Sequence, residues 1–214
     1  MAAGLLLLAA AATSRGQDPP QAADPLVVQQ RIAAVLRQAT RHYEEGEYQV
    51  AIDRLDVLPP AVANEPGALN LRGAILTKME KYDEARRVFA AIKETDPDYF
   101  PSAFNVAELQ FLEGDYEGAR ETFQGFLERD PKNELVRFKV VLCNLKLGRD
   151  DEAHKAASGL IPVGSTPAWY FAQAMFARKA GDASGEAKHL SAARSIYEES
   201  GCRTFDEAVE SVKF

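Results

Sequence analysis

Three histidines, His42, His154 and His189, and two cysteines, Cys143 and Cys202, are the side chains of this chain best suited to hold a metal or attack a substrate. A zinc site needs three or four converging His, Cys or carboxylate ligands. No histidine has a second one a helical turn away, and no H-E-x-x-H occurs, so each is read as a surface or helix-end residue. A nucleophile elbow of the G-x-S-x-G kind, a phosphate loop of the G-x-x-x-x-G-K kind and a Gly-rich dinucleotide turn are all missing. Carboxylates gather in YEEGEY (43–48) and RDDEAH (149–154), at the ends of helical segments, where they cap and solvate. The sequence therefore offers no catalytic residue, no metal site and no cofactor site.

The cysteines leave two readings. Cys143 lies in the apolar run VVLCNL and Cys202 in ESGCRTF. An oxidising compartment would permit a bridge between them, whereas two buried free thiols would fit any compartment.

A formal charge of −7 argues against a nucleic-acid surface, which concentrates Lys and Arg to displace counterions. The first residues, MAAGLLLLAAAATSRG, hold an apolar run from Ala2 to Ala12 that is too short to span a bilayer and ends in small residues. Residues 1–16 are expected to be a signal peptide, although no Lys or Arg precedes the apolar run. Export to a periplasmic or extracellular space follows, and an Ala-rich N-terminus of a cytoplasmic protein is the alternative. Residues 17–26, rich in proline, form a spacer, and nothing beyond them is apolar enough to cross a membrane.

The elements that would position any functional side chain come from a repeat. Ala51, Ala85, Ala119, Ala153 and Ala187 follow one another at intervals of 34 residues. Neighbouring columns keep the period: Tyr48, Tyr82 and Tyr116; Leu55, Phe89 and Phe123; Pro97 and Pro131. Inside each unit apolar residues fall at helical spacing, as Leu69, Gly73 and Leu76 do on one segment and Tyr82, Ala85, Phe89 and Ile92 on the next. The joints carry Gly46, Gly114 and Gly148, suited to the left-handed residue that ends a helix, with Asp115 or Asp150 placed to cap the next. Such short joints force the two helices of a unit side by side.

These residues resemble the tetratricopeptide repeat, a helix-turn-helix unit of that period. The units from Pro66 and from Phe100 match it most fully; those from Ile32, Glu134 and Thr166 are degenerate, the last with one extra residue between Gly181 and Ala187. The resemblance implies an all-α, right-handed superhelical solenoid of about five antiparallel helix pairs over residues 27–199, closed by a capping helix over 200–214.

The resemblance also implies that the first helices of successive units line a concave groove. Its residues would be Leu71, Phe104, Asn105, Glu108, Phe111, Phe138, Lys139, Leu142, Leu145, Phe171 and Met175, an apolar surface of the kind that marks an interaction site. Some members of the family clamp an acidic peptide terminus with Lys, Arg and Asn. Here Asn105 and Lys139 match, but Leu71, Pro101 and Leu135 replace the other polar members, so a clamp of that kind is not expected.

Two functions fit. The first is a non-catalytic scaffold that receives a protein or peptide partner in the groove, within a cell envelope, with Phe104, Phe138, Leu142 and Phe171 as anchors. The second is a spacer that self-associates or fills its own groove, for which the segment TFDEAVESVKF is a candidate.

Overall fold

The computed structural model describes residues 25–97 and 99–214, so the expected signal peptide and most of the expected spacer lie outside the described residues. All regular structure among the described residues is helical. Ten helices form five antiparallel pairs: α1 (Pro25–Glu44) with α2 (Tyr48–Asp56), α4 (Pro66–Lys78) with α5 (Tyr82–Thr95), α6 (Phe100–Glu113) with α7 (Tyr116–Arg129), α8 (Glu134–Lys146) with α9 (Asp150–Ala157), and α10 (Ala168–Lys179) with α11 (Ala183–Ile196). A single turn, α3 (Pro60–Ala63), fills the place where the first unit shortens at Pro59-Pro60, and α12 (Glu199–Glu210) follows the last pair. The first unit begins earlier than its motif residues indicate. Helix α1 starts at Pro25, so the last two spacer residues are helical.

The joints explain the period. Gly46, Gly114, Gly148 and Gly181 all hold φ between +72° and +89°, the left-handed conformation that stops one helix and turns the chain into the next. The second unit has no glycine there, and Glu80 takes the same conformation at φ 59°. Asp115 caps α7 by accepting from the Gly118 N–H at 3.0 Å, and Asn133 and Asp182 cap α8 and α11 in the same way. Asp150 does not cap. Arg149 occupies the cap position of α9, and Asp150, one residue inside, instead pairs with Lys179. Helices α5 and α7 end at Thr95 and Arg129, two residues before Pro97 and Pro131.

Ala51, Ala85, Ala119 and Ala153 are fully buried where paired helices meet. Ala187 is different: it is exposed. The single extra residue in the last unit moves Glu186 into the fifth slot, where its N–H bonds to the Asp182 carbonyl as Ala153 bonds to Arg149. A carboxylate in a packing position needs a partner. Arg178 supplies it, donating from Nε at 2.9 Å and Nη2 at 2.6 Å to the Glu186 carboxylate.

Gly73 is a close-approach position rather than a turn. A methyl group there would lie 2.5 Å from the Phe89 ring, which is itself buried, so only glycine lets α4 and α5 meet.

Candidate partner-binding cleft

The first helices of the pairs, α1, α4, α6, α8 and α10, share one side of the array, and α12 returns across it. Helix α12 is strongly amphipathic: Cys202, Phe205, Ala208 and Val209, with Val212 just beyond its end, are buried. The Phe205 ring stands 5.3 Å from that of Phe138 and 5.4 Å from that of Phe171. Its C-terminal end is pinned by Arg178, which donates to the carbonyls of Val209 at 2.7 Å and Val212 at 3.2 Å, and by Lys146, which donates to the Lys213 carbonyl at 2.6 Å. Its polar edge faces the other way, with Glu207 paired to Lys78 of α4 and Arg203 reaching the Glu44 carbonyl of α1 at 3.4 Å.

This helix divides the residues assigned to the groove. Phe138 and Phe171 lie beneath it and are fully buried. Leu142, Leu145 and Met175 are likewise buried, in the core that α8 and α10 share with it. Leu71 packs into the separate core of the first unit, against the cluster around Ala39 and Ile75. The five on α8 and α10 are closed to a partner, and Leu71 is half-buried in a different core. Sequence spacing names the side of a helix that faces the hollow, but only the fold says whether the hollow is empty.

What remains open is a cleft of about 890 Å³ between α1, α4, α6 and the polar edge of α12. Phe104, Asn105, Glu108, Phe111 and Lys139 line it. Phe104 is held from behind by edge contacts with Phe123 at 5.5 Å and Phe126 at 5.9 Å, and Phe111 by Tyr116 at 5.1 Å. Asn105 donates to Asn70 on the preceding first helix at 2.9 Å. Lys139, buried, donates to Glu108 Oε2 at 2.8 Å, while Glu108 Oε1 is shut off from solvent and accepts no hydrogen bond.

Tyr43, Lys78, Arg203 and Glu207 are among the lining residues that lay outside the sequence assignment. Burial raises the pKa of the Tyr43 phenol, with the charge of Lys78 acting against the shift. Burial works against the Lys78 ammonium, but the hydrogen bond and charge of Glu207 outweigh it, and its pKa is raised. The amphipathic spacing of α12 was the available signal for Arg203 and Glu207, because a helix that buries Phe205 and Val209 must turn its other edge outward.

The histidines take packing and pairing roles. His154 stacks on Phe176 at 4.1 Å, His189 meets the edge of Trp169 at 5.8 Å, and His42 bonds Glu47 at 2.6 Å with Glu45 at 3.8 Å. The cysteines are both buried free thiols. Burial pushes the Cys143 thiol up to about 12 and also raises that of Cys202.

A sequence profile of the tetratricopeptide repeat matches residues 70–134 and 110–163. A tetratricopeptide repeat protein of Parabacteroides merdae has a similar fold, with a TM-score of 0.64 at 17% identity over 83% of this chain and 69% of that one. A thermophilic protein of the same repeat type from Thermus thermophilus gives 0.63 at 16% identity, over 84% and 99% of the two chains. Among curated proteins, the CTR9 homolog of Arabidopsis thaliana is 27% identical over 119 residues, 55% of this chain. This chain spans only 10% of that relative's length.

Proposed function

This is a tetratricopeptide-repeat protein, and from that premise we propose that it is a non-catalytic scaffold whose concave cleft receives a segment of another protein. One observation carries the reading: the hollow is filled by α12 over α8 and α10 but stays open beside α1, α4 and α6, where Phe104 and Asn105 line it. Half of the second reading, a chain that fills its own groove, thus enters the first. Helix α12 forms one wall of the cleft rather than abolishing it.

At about 890 Å³ the cleft has the volume of a site for a short peptide segment. Apolar contact would come from Phe104, and backbone groups of the segment would meet polar side chains such as Asn105 and Thr204. The proposal includes export through residues 1–16, supported by the apolar run from Ala2 to Ala12. The mass of the chain recovered from envelope and cytoplasmic fractions tests that part.

A photo-crosslinking amino acid placed at Thr204, in the cleft, tests the binding reading against the same group at Glu152, exposed on α9. Crosslinks to a discrete partner peptide from Thr204 and not from Glu152 are the expected result. Crosslinks from Glu152 alone would move the interaction surface away from the cleft.

A further inference from the structure

We infer that the segment this cleft receives is basic, which makes its preference opposite to that of an acidic-tail clamp. The inference rests on the binding reading above and concerns what the site selects. Three cations line the cleft, and each is already engaged within the chain. Lys78 pairs with Glu207, Lys139 donates to Glu108 Oε2, and Arg203 donates to the Glu44 carbonyl. The two lysines are thus held by carboxylates of the chain itself, whereas Arg203 meets only a backbone carbonyl.

The acceptors are not used up in the same way. Glu108 Oε1 has lost its water and has gained no donor. A carboxylate oxygen in that condition is costly, and a hydrogen bond from an ammonium or guanidinium group restores what burial removed. The carboxylates of Glu44, the last residue of α1, and Glu45, on the turn after it, stand exposed at the rim. Four carboxylates and three cations line the space, on a chain of net charge −7, so the field within it attracts positive charge.

The fit is chemical as well as electrostatic. A Lys or Arg side chain has an apolar stem and a charged head. Such a stem would lie along Phe104 while the head meets the Glu108 carboxylate, both residues of α6 that line the cleft. The Glu108 side chain must turn to bring Oε1 to the cleft surface. An acidic segment that sought Lys78 or Lys139 would instead have to break an internal ion pair, leaving Glu207 or Glu108 without its cation.

A random twelve-residue peptide library displayed on phage and panned against the full chain tests this directly. The expected pool is enriched in Lys and Arg, is displaced by high salt, and binds a Glu108→Gln variant about tenfold more weakly. Because Lys139 loses its partner in that variant, the composition of the pool on the unaltered chain is the deciding result. A pool enriched in Asp and Glu, or without charge bias, overturns the inference. If such a pool still loses binding on Phe104→Glu, the cleft remains a peptide site and only its selectivity was misread. If no peptide is selected, both the inference and the binding reading fail.

Discussion

The two halves of this repeat array are built from the same unit but hold together differently. From α6 onward one continuous core joins the third, fourth and fifth pairs to α12, and helix α8 contributes seven buried residues to it. Before α6 the apolar residues divide into two small clusters, one around Ala51 and Leu55 and one around Phe89 and Ile92. Helix α1, the longest of the described helices, buries only Ala39. A repeat that cannot bury its apolar face alone depends on its neighbours, and a helix laid across several repeats at once multiplies those neighbours. The contrast teaches that the consolidated half is joined through the deeply buried α8 and covered by α12, while the half that α12 does not cover is where the cleft lies.

The sharpest way to break that contrast is Phe205→Ala. Removing a ring packed against Phe138 and Phe171 should cost about 3–5 kcal/mol and loosen the consolidated half. Amide exchange by mass spectrometry would show α8 and α10 losing protection while α1 and α2 change little. Equal losses in both halves would mean that the array melts as one unit and that the two-part description is wrong.

Gly73→Ala probes the open half. The added methyl would meet the Phe89 ring at 2.5 Å, and overpacking of this kind costs about 1–3 kcal/mol, more than the roughly 1 kcal/mol that alanine gains in a helix. Urea denaturation should show a net loss of stability confined to the first two units. Glu80→Gly should act in the opposite direction, stabilising by about 1 kcal/mol, because a side chain at φ 59° is strained and glycine is not. A fall in the urea midpoint would show that Glu80 makes a contact worth more than its backbone strain.

The smallest expected effect separates the thiols from their surroundings. With both cysteines buried and their pKa values raised, neither should react with a thiol reagent at neutral pH until urea is added. If Phe205→Ala frees α12, Cys202 should react first, which ties this measurement to the first.

Much of the fold was legible because the residues that make it are local. Alanine at a helix crossing, glycine at a left-handed turn and apolar side chains at helical intervals act within one unit, and a period of 34 residues multiplies the signal. Ala187 shows the limit of that legibility. One inserted residue hands its slot to Glu186, and the consequence is visible only once Arg178 is seen beside it. The cleft was legible only in part. Phe104, Asn105 and Glu108 could be assigned from their place on a first helix, but Phe138, Leu142 and Phe171 sit at similar places and are buried. What divides the two groups is the position of α12, set by packing between segments far apart in the chain, and no spacing within a unit carries that information.

The contact between Arg203 and Glu44 links positions 159 residues apart, in a protein whose other packing is largely between adjacent units. A linear stack can fray from either end, each unit peeling away at the expense of one junction. A stack whose final segment reaches back to its opening one has to release that clasp before the leading end can peel. During synthesis the clasp closes after the five hairpins, because Arg203 leaves the ribosome after the residues that make them.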